Sequence, residues 1–152
     1  MKGKQKPPMV AGRDVSHLRE LTRLMFEIGF RAESVAARWP AFETAFAGFE
    51  PAAVALFGPA QLEAMSLNPA LIRNRAKLAA TVDNARAMVR LSSVHGSFDA
   101  LLDSLRSEPY ERRARLLTEV FTRVGPRIAF AFLLSVGLAE PSDVDTELGD
   151  AA

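Results

Sequence analysis

Apolar residues recur along this chain at intervals of three and four and never alternate over a run long enough for a strand, so every element the pattern supports is a helix. Leu18, Leu21, Met25 and Ile28 form one such stripe from about Ser16, and Gly29 offers it a stop. A second helix is expected over 33–39. Pro40 is expected to open a third that carries Phe42 and Phe46 on one face, because a first-turn proline lacks only an N–H that would have had no intrahelical partner. Pro51, Pro59, Pro69 and Pro109 repeat the device, and Asn68-Pro69 couples it to a capping side chain. The longest helix is expected over 75–91 with Leu78, Val82, Ala85 and Val89 inward, and Ser97 is placed to cap one bearing Phe98, Leu101, Leu102 and Leu105. The fold class is all-α, a compact multi-helix domain.

A length of 152 residues suits one domain, and 49% apolar against 24% charged residues is enough to fill a core and excludes wholesale disorder. There is no cysteine, so disulfides and thiolate metal sites are excluded; His17 and His95 are too few for a structural zinc, and no cofactor is expected. The basic residues 1–8 lead into no apolar run, and the longest apolar stretch, 128–136, falls short of the ~20 residues a bilayer requires. A cytoplasmic monomer with no membrane contact is the expectation. The net charge is only +1, yet residues 140–152 hold five acids and no Lys or Arg, which leaves the rest at +6. The chain is accordingly divided into a flexible basic arm (1–13), a folded body (14–139) and an acidic tail (140–152). A basic body fits a nucleic-acid partner and equally a solvated surface.

Local chemistry points further at one place. A helical pattern ends at Val124-Gly125-Pro126 and resumes at once, which leaves room only for a tight hairpin. Gly125 is free to adopt positive φ and to let another molecule approach the backbone, and Pro126 presets the next helix. The unpaired N–H groups at that helix start form a cradle for a phosphate, with Arg123 and Arg127 beside it. An ordinary helix–turn–helix connection that binds nothing is the alternative.

The stretch from Val124-Gly125-Pro126-Arg127-Ile128 to Phe132, followed by Gly137-Leu138, resembles the hairpin and second helix of the DNA-3-methyladenine glycosylase I family, within the helix-hairpin-helix glycosylases. Arg38-Trp39-Pro40-Ala41-Phe42, Ala45-Phe46-Ala47-Gly48-Phe49-Glu50-Pro51, and above all Ile72-Arg73-Asn74-Arg75-Ala76-Lys77 with Asn84-Ala85-Arg86-Ala87, are similar to it in the same order. The resemblance covers residues 20–138. It implies a helix-hairpin-helix that docks on double-stranded DNA through Arg123, Val124, Gly125 and Arg127, and an activity that hydrolyses the N-glycosidic bond of an alkylated base. Arg73, Arg75 and Lys77 cluster where one helix turns into the next and are candidates for phosphates on the same strand, with solvated charges as the alternative.

The resemblance fails at the base pocket. Where the family carries a pocket glutamate and tryptophan, this chain places Leu24 and Ala32, which with Phe26 line the expected pocket, and the family's zinc ligands are missing. Two carboxylates are candidates to replace the glutamate. Glu27 lies on the same helix as Leu24; Asp145, in Val144-Asp145-Thr146, lies 20 residues past Gly125, an offset that resembles the wider superfamily's nucleotide-facing aspartate. A solvated surface glutamate and a disordered tail are the respective alternatives, and a glycosylase-like domain that only binds DNA is the alternative function.

Overall fold

A computed structural model describes the backbone of residues 6–145 and the side chains of residues 12–144, and among them every regular element is helical. In chain order these are α1 (Lys6–Glu27), α2 (Ala32–Ala45), α3 (Pro51–Val54), α4 (Pro59–Ser66), α5 (Arg75–His95), α6 (Phe98–Ser104), α7 (Tyr110–Val120) and α8 (Pro126–Ser135), with 3-10 turns at Ala47–Phe49, Leu105–Ser107 and Pro141–Asp145. α5 is the axis of the fold: α1, α3, α4 and α6 pack against it, while α1 also meets α8 and α7 pairs with α8.

The buried faces follow the apolar spacing. α1 contributes Leu18, Leu21, Met25 and Phe26, and α5 contributes Leu78, Val82, Ala85 and Met88. Trp39, Phe42, Phe46, Phe49 and Phe57 stack with ring centroids 5.0–6.3 Å apart, and Phe26 meets Phe42 edge-on at 4.9 Å. Truncating a fully buried member of such a stack to alanine costs about 3–5 kcal/mol. The stack is reached through a strained turn, because Ala47, Gly48 and Phe49 all hold left-handed φ values of 53, 67 and 62°. For the two non-glycines that costs on the order of 1 kcal/mol each, which burial of the Phe49 ring offsets.

Punctuation succeeded where a cap or a first-turn proline had no competitor. Pro51, Pro59 and Pro126 open α3, α4 and α8, Pro109 immediately precedes α7, and the Ser97 hydroxyl accepts the Ala100 N–H at 2.9 Å to cap α6. It failed in two places. Pro40 lies inside α2, exposed, where the missing N–H removes a single donor and the helix runs on. Asn68-Pro69 starts no helix: the Asn68 side chain accepts the Ala70 N–H at 2.9 Å and closes a local turn, and α5 begins only after Asn74, which accepts from the Lys77 N–H at 3.1 Å. Ile28 and Val89, expected inward, are 50% and 37% exposed. Helix α1 starts at Lys6, inside the stretch expected to be an arm, and Pro141–Asp145 forms a turn packed on α8 where a tail was expected.

Candidate functional site

Five residues, 121–125, join α7 to α8. Phe121 and Val124 are buried and anchor the connection to the core, whereas Arg123, Gly125 and Arg127 are exposed. The sharp reversal is made by Arg123, at φ 60°, and not by Gly125, whose φ of −89° and ψ of −173° suit any residue. That corrects the expectation of a left-handed glycine. A Cβ built at Gly125 would meet nothing within 4 Å, so the folded chain leaves open space there. Helical bonding in α8 begins with the Ala129 N–H donating to the Gly125 carbonyl at 2.9 Å; the N–H groups of Arg127 and Ile128 find no acceptor among the described residues. Neither Arg123 nor Arg127 makes an ion pair or side-chain hydrogen bond with a described residue.

Two neighbouring elements hold this connection from beneath. Asn84 of α5, 2% exposed, donates from Nδ2 to the Thr122 carbonyl at 3.2 Å and accepts the Thr122 N–H at 2.7 Å. Lys77, two turns earlier on α5, is 7% exposed, so it is not the free phosphate contact expected of it. Its ammonium donates to the Ile28 carbonyl in the turn after α1 and lies 5.9 and 5.2 Å from the ring centroids of Phe26 and Phe30. Burial, and secondarily the charge of Arg123, lowers the Lys77 pKa. Lys77, which holds the α1–α2 turn through the Ile28 carbonyl, thus feels the like charge of Arg123 on the hairpin. Ile28 and Phe30 both keep apolar surface open in that turn, where Gly29 takes φ 88°.

The remaining expected site residues divide. Arg73 is exposed; Arg75 is exposed but paired to Glu63 of α4 at 2.9 Å. Ala32 is exposed and Leu24 half-buried, while Phe26 is fully buried in the core and lines no open pocket. Glu27 is bound to Arg23 at 2.5 Å, and Arg23 in turn holds Glu20 at 2.6 Å, which raises the Arg23 pKa above its ordinary value. Its carboxylate is thus already engaged along α1. Asp145 closes the Pro141–Asp145 turn, but its side chain lies outside the described residues.

Several roles were missed. Arg86, in the Asn84-Ala85-Arg86-Ala87 string, donates to the carbonyls of Ala55 at 2.9 Å and Phe57 at 2.6 Å and so closes the end of α3. Arg113 donates to the carbonyls of Leu105, Glu108, Arg106 and Leu138 at 2.8–2.9 Å. An arginine at the surface whose guanidinium is tied to backbone carbonyls leaves no periodic trace, which is why neither was legible. On the middle turns of α1, His17 Nε2 lies 2.8 Å from Asp99, Arg13 donates to the same carboxylate at 3.0 Å, and the buried Asp14 accepts the N–H groups of Phe98 and Asp99 at 3.0 and 2.9 Å. A cleft of about 330 Å³ opens beside His17, Ser97 and Asp99. Among the described residues no group of His, Asp or Glu could hold a metal ion, and no helix is long and apolar enough to cross a membrane.

Among the described residues seven α-helices gather about α5, and this all-helical architecture is the one found in solved DNA glycosylases. A 3-methyladenine DNA glycosylase I crystallised as a point variant with 3-methyladenine superposes with a TM-score of 0.73 at 21% identity over 90% of this chain and 83% of that one. The enzyme of that name from Staphylococcus aureus gives 0.73 at 21% over 90% and 82%, and a solution structure of a 3-methyladenine DNA glycosylase I gives 0.71 at 19% over 87% and 81%. The sequence model of the methyladenine glycosylase family matches residues 11–120, most of the chain, and the protein belongs to that family. The matched span stops at the end of α7, one residue before the hairpin begins.

Proposed function

We propose that this glycosylase-like protein docks on double-stranded DNA through the α7–α8 hairpin and hydrolyses the N-glycosidic bond of an alkylated base. The observation that carries the docking is the start of α8: two N–H groups without acceptors, open space in front of Gly125, and the exposed, unpaired Arg123 and Arg127 on either side. Backbone donors at a helix start and flanking guanidiniums are what a phosphate needs, and a side chain at residue 125 would stand between them. Ile28 and Phe30, exposed in the adjoining turn, supply an apolar wedge of the kind that fills the gap a displaced base leaves in the stack.

The chemical step rests on family membership. Water adds to C1′ as the bond to the base breaks, the base leaves with the bonding pair, and positive charge builds on the sugar ring in between. A carboxylate beside C1′ stabilises that charge and takes the proton from water. Asp145 is the residue we assign to this role in preference to Glu27, whose carboxylate is held by Arg23.

A second reading, a module that binds DNA without cleaving it, is favoured by the same ion pair together with Leu24 and the buried Phe26 where a base pocket is needed. Gel shift with an unmodified duplex and release of base from methylated DNA separate the two. Shift with release, abolished by Asp145→Asn, supports the enzyme; shift without release supports the module; absence of any shift removes both.

A further inference from the structure

Of the seven buried polar residues among those described, three lie on one face of α5 at successive turns: Lys77, Thr81 and Asn84. Thr81 serves its own helix, donating to the Lys77 carbonyl at 2.9 Å. The other two reach away from it. Lys77 grips the α1–α2 turn at the Ile28 carbonyl, and Asn84 takes both backbone groups of Thr122, the residue immediately before the left-handed Arg123. An apolar residue of Asn84's size would pack α5 against the hairpin without desolvating an amide, so the asparagine adds definition of position more than adhesion. It fixes the peptide from which the Arg123 side chain projects. Because Lys77 and Asn84 sit two turns apart on one rigid helix, the spacing between the turn bearing Phe30 and the hairpin bearing Arg123 is set by α5.

We propose that Asn84 is a positioning residue for DNA recognition: by clamping Thr122 it holds Arg123 in its strained conformation and, with Lys77, keeps the apolar turn and the basic hairpin in register on one DNA surface. This rests on the docking reading above. The residue is neutral and buried, so it touches no phosphate, and its effect on DNA passes entirely through Arg123.

That gives an unusual signature. Removing a neutral side chain leaves the salt dependence of DNA binding unchanged unless the residue places a cation on the DNA. In the full chain, Asn84→Ala is expected to weaken binding to an unmodified duplex about tenfold and to lower the slope of log affinity against log salt by about one, at temperatures where its helical circular dichroism is native. In an Arg123→Ala background the same change is expected to lower the slope no further, because the cation it positions is gone. Should Asn84→Ala fail to fold, Asn84→Asp keeps the shape and the acceptor for the Thr122 N–H; its affinity should recover as pH falls and the introduced carboxyl becomes able to donate to the Thr122 carbonyl. A slope unchanged by Asn84→Ala, an equal loss in the Arg123→Ala background, or an affinity of Asn84→Asp indifferent to pH overturns the positioning role alone. An unmutated protein that binds no duplex overturns the docking reading and this inference with it.

Discussion

Two polar clusters of opposite character flank the second half of helix α1, one on its middle turns and the other reached through the turn that follows Glu27. On the middle turns, Asp14 accepts two backbone N–H groups at the head of α6 and the Ser92 hydroxyl, and Asp99 accepts from both His17 and Arg13. Both carboxylates there are engaged within the fold. Beyond its end, at the hairpin, the backbone of Thr122 is fully engaged by Asn84, but the helix start and the two arginines are left unanswered. Burial of polar groups costs free energy that only pairing recovers, so the first cluster has the form of a structural clamp. The second spends its pairing on fixing the scaffold and keeps its donors outward, the form expected of a surface waiting for an anionic partner.

The contrast can be broken from either side, and the largest effect is expected at the clamp. Asp14→Ala strands the N–H groups of Phe98 and Asp99 at a buried helix head, and a loss of about 2–4 kcal/mol in unfolding free energy should follow in urea or thermal melts. DNA affinity measured well below the melting point should not change. If it falls in step with stability, the two clusters are not separable and the comparison fails.

Gly125→Val inverts the pattern. The backbone conformation accepts a side chain and a Cβ built there meets nothing within 4 Å, so stability should move by less than about 1 kcal/mol. Duplex binding should nevertheless drop by at least about tenfold, because the side chain occupies the approach to the α8 N–H groups. Retained binding in this variant would place the DNA elsewhere. Arg127→Ala is a smaller step: affinity should fall roughly fivefold on any sequence, with a salt slope lower by about one and an unchanged melt.

The sequence and the structure part company along the same line. The helices were legible because their signals are local: apolar periodicity sets α1 and α5, and first-turn prolines open α3, α4 and α8. The hairpin was legible for the same reason, as Gly125-Pro126 interrupts a helical pattern. Its geometry was not, since the left-handed residue is Arg123, whose neighbour Thr122 is bonded by a side chain 38 positions upstream. Lys77 shows the limit most clearly. Grouped with Arg73 and Arg75 in one basic string it reads as a phosphate ligand, yet the helical turn rotates it inward to the Ile28 carbonyl while Arg73 stays exposed. The pairing of His17 was equally hidden, because nothing within ten positions of it announces Asp99.

The smallest effect sharpens the comparison through acid stability. Burial pushes the Asp99 carboxyl up, but hydrogen bonds from His17 and Arg13, and their charges, outweigh it and hold the folded-state pKa below the ordinary 3.8. A carboxyl depressed by folding contributes stability that is complete above its unfolded value and disappears as pH falls through its folded one. Arg13, Asp14, His17, Asp103 and Arg106 face the same cleft or its walls, and Asp99→Asn removes only the one charge. Thermal midpoints taken from about pH 5 downward should therefore decline less steeply in Asn-substituted protein than in the unmutated chain, the two curves converging at the acid end where Asp99 is protonated in both states. Near neutral pH the substituted protein should melt lower yet bind duplex DNA with unaltered affinity and salt slope, because the clamp presents nothing to the hairpin surface. Parallel acid limbs would mean that the His17–Asp99 contact does not distinguish the folded state; an altered salt slope would mean that the clamp reaches the DNA surface after all.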